Sequence, residues 1–474
     1  MRETGTFCEG PGWLGIGHKW WTLAVVGTGT FMSALDTSVV NVALPVIGHA
    51  TRSPVSTVEW VILAYLVTVS SSLLVFGRLA DIHGRRRIYM AGLLVFVAGS
   101  LGCGLSGTVG PLILARVIQA LGAAMIFALS PSILISAFPA NERGRALGLQ
   151  ATMTYLGVAA GPGLGGYLTQ HFGWPVIFYM NVPIGLLAVL AARKVLRPDR
   201  QDTGQPFDPA GAAAMAVTLA SLLLVLSKGA DLGWGHPLIQ GLAGLAAGGA
   251  VAFVIIERRS THPALDFRLF ANRTFAVSVL AAYLCYLASA AVSFLMPFYL
   301  LSAAGYSVSH AGLMMMSVPL AMLAVTGPSG CLSDTTGVRL PATAGMVLMA
   351  AGVALLGRLR LSDSAGHLVA CLALLGAGTG LFTAPNNSAI MGAVPKERQG
   401  VAGAILAAAR TVGFASGVAL AGLIYMACLG SQTGGSPEAV ARAVRVGLRV
   451  TAVFALAGAV SSAVRGPANS PKNV

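Results

Sequence analysis

Charge is what this sequence has least of. Only 10% of its 474 residues are Asp, Glu, Lys or Arg, where a soluble globular chain carries about 25%. A soluble chain of this length would divide into several domains, each with a polar surface to cover. Thirty basic and 16 acidic residues do not suffice for that. The shortage excludes a soluble enzyme, an ordinary nucleic-acid-binding protein and a disordered chain. Cysteine is scarce too. The six (Cys8, Cys103, Cys285, Cys331, Cys371, Cys428) follow no metal-ligand spacing and read as small apolar fillers. The eight histidines stand in loops or near helix ends, which speaks against a membrane-buried metal site. There is no Gly-x-x-x-x-Gly-Lys-Ser/Thr run to cradle a nucleotide, and no cofactor is expected.

Apolar residues are abundant, at 55%, with a mean hydropathy of +0.77. A spanning helix needs roughly 20 mostly apolar residues. Fourteen such segments begin near Trp20, Thr57, Ile88, Gly110, Ala146, Trp174, Ala210, Pro237, Phe275, Ser309, Pro341, His367, Val401 and Gly447. Unbroken runs exclude a β-barrel, whose strands alternate. The expected class is an all-α polytopic membrane protein. With the N-terminus in the cytoplasm, twenty-one of the 30 basic residues fall in cytoplasmic segments and seven in outer loops. The remaining two, Arg116 and Arg410, lie inside spans. This bias predicts both termini inside and explains a net charge of +14 without nucleic acid. Glu3, Glu9 and a first apolar run too long for an h-region speak against a signal peptide.

The chain repeats itself. Gly77-Arg-Leu-Ala-Asp81-Ile-His-Gly84-Arg85-Arg86 finds Gly330-Cys-Leu-Ser-Asp334-Thr-Thr-Gly337-Val-Arg339 at an offset of 253. Pro139, Glu142, Arg143, Gly144, Gly157 and Gly161 find Pro395, Glu397, Arg398, Gly400, Gly413 and Gly417, mostly at 256, and Pro45 finds Pro297 at 252. Eight spans lie between the paired loops, so two are inserted between six-helix halves. The expected organisation is a cytoplasmic N-terminus (1–19), a six-helix bundle (20–195), central loops with two inserted helices (196–273), a second six-helix bundle (274–465) and a cytoplasmic tail (466–474). Parallel halves place a cavity at their interface.

Within the spans, Asp36 is the one deep carboxylate, roughly 16 Å from the outer end of its helix at 1.5 Å per residue. Such residues are functional by default. Asp36 is read as a proton-coupling group or a counter-ion for a cationic substrate, against a purely structural pair with Arg116. Arg116 lies about 7 Å from it in depth, within reach of its long stem. It either modulates Asp36 or snorkels outward, and Gln119, one turn on, shares either role. Gly157, Gly161 and Gly165 line one face where another backbone can approach. Pro162 leaves the Val158 carbonyl without its helical bond. Asp81 can cap a helix start and hold an arginine among Arg85, Arg86 and Arg87. In the second half Asp36 aligns near Ala288 and Arg116 near Cys371, so that half lacks the charged pair. Candidate cavity residues are Asn41, Tyr283, Tyr286, Phe294, Phe298, Met314, Met315, Met316, Phe382, Asn386, Asn387 and Arg410, each also explicable as packing. Arg410 either favours an anionic substrate or serves a structural purpose.

Together these motifs identify a family resemblance. Gly77 to Arg87 is similar to the major facilitator superfamily signature between helices 2 and 3. Leu35-Asp36-Thr37 with Asn41 to Pro45 resembles the helix-1 motif of its fourteen-helix drug:proton antiporters, the EmrB/QacA-like family. Arg116 to Gly122, Gly157 to Gly166, Trp174 to Gly185 (with Phe178, Asn181 and Pro183) and Pro385-Asn386-Asn387 resemble further motifs of that family. Departures are Pro175 where an arginine is usual, Ile82 where a basic residue is usual, and a single arginine in the second-half loop. The resemblance implies a major facilitator fold of two six-helix bundles plus two inserted helices. It implies a proton-coupled exporter of small amphipathic compounds, working by alternating access as a monomer in a bacterial inner or plasma membrane. It gives Arg116 a role in proton transfer. Gly157, Gly161, Pro162, Gly165 and Gly166 become a seal between the halves. The Gly77–Arg86 loop and its repeat at Gly330–Arg339 become a cytoplasmic latch. A dedicated metabolite or lipid exporter of the same fold is the alternative. An enzyme lacks a catalytic dyad here, a receptor lacks a soluble domain, and a passive channel fits poorly with asymmetric halves.

Overall fold

The helices follow the apolar runs. The computed structural model describes residues 17–139, 142–197, 209–259, 267–395, 399–429 and 436–465. The expected tails over 1–16 and 466–474, Cys8 and the loop at 396–398 lie outside them. The first half contains α1 (His18–Thr51), a short α2 (Val55–Val58), α3 (Trp60–His83), α4 (Arg85–Leu105), α5 (Val109–Ala137), α6 (Arg143–Phe172), a short α7 (Val176–Tyr179) and α8 (Asn181–Val195). Next come α9 (Pro209–Leu232) and α10 (Pro237–Arg259). The second half contains α11 (Arg273–Phe298), running on into a π-helical turn, then α12 (Val308–Met315) and α13 (Ser317–Thr336). It ends with α14 (Arg339–Leu356), α15 (Ala365–Gly392), α16 (Gln399–Leu429) and α17 (Pro437–Ala463).

The described residues contain no strand, and the architecture is all-α and multi-pass. Among the described residues, twelve stretches are long and apolar enough to cross a membrane. α6 is not one of them, because glycine and polar residues dilute its apolar content. The expected span over α9 is described only in part, with Ala213–Leu222 as its apolar stretch.

Side-chain caps and turn glycines set several helix ends. Asn272 Oδ1 accepts from Thr274 N (3.0 Å) and Phe275 N (3.3 Å) and so caps α11. Gly84 and Gly337 sit at equivalent places in the repeat, and both have positive φ (+93° and +79°). A side chain there is strained, so the α3–α4 and α13–α14 turns both call for glycine.

The repeat extends from sequence to packing. A Cβ on Gly345 of α14 would lie 2.5 Å from Phe382 N of α15, and one on Gly92 of α4 would lie 2.6 Å from Met125 Cβ of α5. Gly157 of α6 lies against Phe31 O of α1, where a Cβ would come within 2.5 Å. Its equivalent Gly413 of α16 lies against Tyr283 O of α11, at 2.6 Å for a Cβ. These pairs keep offsets of 252 to 257, against the 252 to 256 read from the sequence. The same register places Leu372 and Leu375 opposite Arg116 and Gln119, one residue on from the expected Cys371.

Three apolar clusters show where the halves meet. One joins Leu35 to Ile47 of α1 with α11, the π-turn, α12 and α16 of the other half. The second, around Leu23, Trp20, Phe96, Phe138 and Ala192, belongs to the first half alone. The third, around Leu269, Phe275, Ile390 and Ala402, belongs to the second half alone. The latter two lie toward the face where α1 begins and α17 ends, here called the terminal face. The halves therefore share one core toward the opposite face and keep separate cores toward the terminal face.

Candidate functional site

The first half buries a polar cluster whose residues are delivered by four helices, α1, α4, α5 and α8. Asp36 of α1 is fully buried and Arg116 of α5 is 1% exposed. Arg116 Nη1 donates to Asp36 Oδ2 at 2.5 Å and to Gln119 Oε1 at 2.6 Å. Its Nε donates to Val61 O of α3 at 3.0 Å. Gln119 Nε2 donates to Asp36 Oδ1 and to Ser100 Oγ, both at 2.8 Å. Asn181, the first residue of α8, adds Nδ2 to Asp36 Oδ1 at 2.9 Å. Gly99 lets α4 approach the backbone at Gln119 closely, since any Cβ there would strike it. The stagger in depth foreseen for Asp36 and Arg116 thus closes into direct contact.

The electrostatics are those of a fully buried charge pair. Burying two charges costs several kcal/mol per ion, and the pair holds only if hydrogen bonds satisfy the rest. Here three donors cover the carboxylate. The guanidinium also lies 4.2 Å over the Tyr65 ring and 5.7 Å from that of Phe178. Protonating Asp36 weakens its bond to Arg116, yet Arg116 keeps Gln119 Oε1 and Val61 O. The pair can therefore break without stranding a bare cation. The second half has Ala288, Leu372 and Leu375 at the equivalent places, all buried and apolar.

A glycine seam forms the second part of the site, and α6 uses two faces. Gly157, Gly161 and Gly165 pack on α1, against Phe31, Ser38 and Val39. The Val158 carbonyl released by Pro162 accepts from Ser38 Oγ at 2.8 Å, so the break is repaired from α1. Gly166, with Gly163, turns the other way, toward the second half. A Cβ on Gly166 would lie 2.5 Å from Val308 O; Gly163 faces Met316; and Gly312 abuts the Pro162 carbonyl. Gln170 Oε1 accepts from Ser309 N across the same seam at 2.8 Å. This hydrogen bond between the halves was not foreseen. The α2–α3 junction also closes this face, with Glu59, 1% exposed, against Gly422 of α16. Its place beside Trp60 gives no hint that this acid is buried.

The terminal face is looser. Arg86 Nη2 donates to Arg193 O at 2.6 Å, tying α4 to the end of α8. Nothing lies within 4 Å of where a Cβ on Gly77 or Gly330 would stand. Arg339 is exposed, and the side chains of Asp81 and Asp334 lie outside the described set. Of the cavity candidates, Asn41, Tyr283, Tyr286, Met316 and Asn387 are half-buried and Arg410 is exposed. Phe294, Phe298, Phe382 and Asn386 are instead buried within the second half, as are Met314 and Met315. Phe298 stacks between Phe294 and Tyr425 at 5.3 and 5.1 Å. Asn386 donates to Ser278 O at 3.2 Å and accepts from Arg465. Burial holds the Arg465 guanidinium, just beyond α17, down to about 10.

Comparison with known proteins agrees with this architecture. The sequence pattern of the Major Facilitator Superfamily matches residues 26–258 and 278–473. The chain is 35% identical to the riboflavin transporter RibZ of Clostridioides difficile, over 85% of this chain and 87% of that one. It is 33% identical to the multidrug resistance protein Stp of Mycobacterium tuberculosis (strain CDC 1551 / Oshkosh), over 86% and 76%. It is 29% identical to the tetracenomycin C resistance and export protein of Streptomyces glaucescens, over 87% and 77%. Its fold resembles a bacterial homologue of the human lysosomal transporter Spinster in an inward-facing, unoccupied conformation. That match has a TM-score of 0.71 and 16% identity and covers 94% of this chain and 97% of the other. With these relatives, a pair of helical halves and no enzymatic kin among them, the chain belongs to the Major Facilitator Superfamily and is a multi-pass membrane transporter.

Proposed function

We propose that this transporter is a proton-coupled exporter of small amphipathic compounds, of the fourteen-helix drug:proton antiporter type. Its terminal face is cytoplasmic, and it works as a monomer in a bacterial inner or plasma membrane. The observation that carries the reading is the wholly buried Asp36–Arg116 pair, present in one half only.

The state described is open to the cytoplasm, and cargo enters the cavity from that side. When the α6–α12 seam opens outward, a proton from outside water binds Asp36 Oδ2. The carboxyl loses its charge and Arg116 falls back on Gln119 Oε1 and Val61 O. The neutral pair then favours return, and the proton leaves to the cytoplasm. Gly163, Gly166, Gly312 and the Gln170–Ser309 bond seal the outer side meanwhile. On the cytoplasmic side, Gly77, Asp81, Gly84, Arg85 and Arg86, with Gly330, Asp334, Gly337 and Arg339, form the latch of the opposite state.

Proteoliposomes with an imposed proton gradient test this, with riboflavin and tetracenomycin C as first cargoes, taken from the relatives' names. Cargo-dependent proton flux supports the antiporter, and cargo flux indifferent to the gradient refutes it. The identity with a riboflavin transporter favours a second reading, a dedicated metabolite exporter, which transport of one cargo out of a broad panel would support.

A further inference from the structure

Within the spans of the described residues, Asp36, Arg116, Arg410 and Arg449 lie well inside a helix, and Arg449 Nε donates to Gly357 O at the far end of α14. The first two are sealed. Both carboxylate oxygens of Asp36 are already hydrogen-bonded, and neither group reaches the cavity surface. Arg410 differs. It is exposed, eleven residues into α16 from Gln399, or roughly 16 Å from the terminal face at 1.5 Å per residue. Exposure to lipid at that depth is expensive, so the guanidinium is assigned to the space between the halves. One turn on, Gly413 presses on the α11 backbone at Tyr283 and Phe414 stacks on Tyr286, with centroids 5.7 Å apart and planes at 33°. Arg410 lies within electrostatic reach of the Tyr286 hydroxyl, and so does Tyr155 of α6, in the other half. The guanidinium therefore sits between the halves, beside a half-buried aromatic pair.

We propose that the cavity selects planar aromatic monoanions, with Arg410 binding the carboxylate or phenolate and Tyr286 and Phe414 receiving the ring. The charge that Arg410 presents to cargo is positive. A cationic drug finds no carboxylate to pair with, because Asp36 is engaged with Arg116, Gln119 and Asn181. An anion finds a flat, permanently charged fork that matches a carboxylate with two parallel hydrogen bonds. The neighbouring rings supply an apolar surface of matching shape. This assignment names the substrate class for the exporter reading above, and rests on that reading for its role in transport.

The test uses the full-length protein in detergent and in proteoliposomes, with three probes sharing one ring system: 2-naphthoate, 2-naphthamide and 2-naphthyltrimethylammonium. Equilibrium dialysis is expected to show 2-naphthoate binding at least tenfold tighter than the amide, with the cation weakest. In Arg410→Gln the preference for the anion over the amide should fall below about twofold. Arg410→Lys, which keeps the charge, should retain the order of the three probes. Equal binding of the probes, no binding of 2-naphthoate, or a preference that survives Arg410→Gln would each overturn the assignment. Asp36→Asn separates the two readings. It should keep the 2-naphthoate preference while losing proton-driven flux. Proton-driven flux that persists in Asp36→Asn sinks the coupling mechanism and leaves the Arg410 site standing.

Discussion

Asp36→Asn is the most informative single change. It keeps the size of the side chain and removes the charge, so packing is not the variable. In the native cluster the carboxylate receives Arg116 at 2.5 Å, Gln119 at 2.8 Å and Asn181 at 2.9 Å. Breaking a buried ion pair by removing one partner costs about 3–5 kcal/mol. The lower end applies here, near 3 kcal/mol. Arg116 retains Gln119 Oε1 and Val61 O, and the new amide oxygen still accepts one hydrogen bond. The apparent melting temperature in detergent should therefore fall measurably. Asp36→Asn combined with Arg116→Gln should recover most of the loss, with a coupling energy of roughly 2–3 kcal/mol in the double-mutant cycle. Function should divide in the same way. Cargo exchange across the membrane at equal pH needs no protonation change and should persist, while efflux driven by a proton gradient should drop to background. Gradient-driven efflux at the native rate in Asp36→Asn would refute the coupling argument. So would additive stability effects in the cycle, because they would mean that the two charges do not depend on each other.

Four further expectations follow from the same geometry. Gln170→Ala removes the hydrogen bond to Ser309 N, a loss of about 1 kcal/mol. It should raise outside labelling of a cysteine placed at Ser309 about fivefold, and an unchanged rate would show that the bond does not hold the seam. Gly312→Ala drives a methyl group into the Pro162 carbonyl, a backbone clash of about 1–3 kcal/mol that penalises only the closed outer side. It should trap the outward-open state and stop transport while leaving thermal stability near native. Gly157→Ala strikes Phe31 O on the permanent α1–α6 contact, so its cost should appear as a lower melting temperature in every state of the cycle. Export of a monoanion against one entering proton moves two charges in the same electrical sense, about 4.6 kcal/mol per 100 mV. 2-Naphthoate efflux should therefore accelerate under an inside-negative potassium-valinomycin potential, and indifference to potential would exclude that stoichiometry.

Much of this molecule was legible before any fold was known. Asp36 and Arg116 stand out because charge is so rare in the spans, and helical rise alone placed them at compatible depths. The repeat offset foretold which glycines pack alike in the two halves, down to Gly157 and Gly413. What could not be read is which side of an apolar helix faces which neighbour. The α11 segment is apolar all round, so periodicity has no stripe to report, and Phe294 and Phe298 turn out to be core while Tyr283 and Tyr286 stay half-buried. Asn181 was visible as part of a motif, but its bond to Asp36 depends on how α8 crosses α1. Ser100 and Ser38 look like ordinary small residues until tertiary contact gives each a polar atom to satisfy. The span expected from Ala146, α6, is weakly apolar because that helix carries glycine where other spans carry leucine.

That last property bears on how the protein is made. A segment too weakly apolar to partition into lipid unaided must enter the bilayer against something already there. For α6 the partner is α1, synthesised first, whose Phe31, Ser38 and Val39 meet its glycines and whose hydroxyl takes up its stray carbonyl. Biogenesis of the first half is thus ordered. α1 has to wait beside the insertion site until α6 arrives, and a change on the α1 surface that leaves every functional group intact can still leave the chain short of one span.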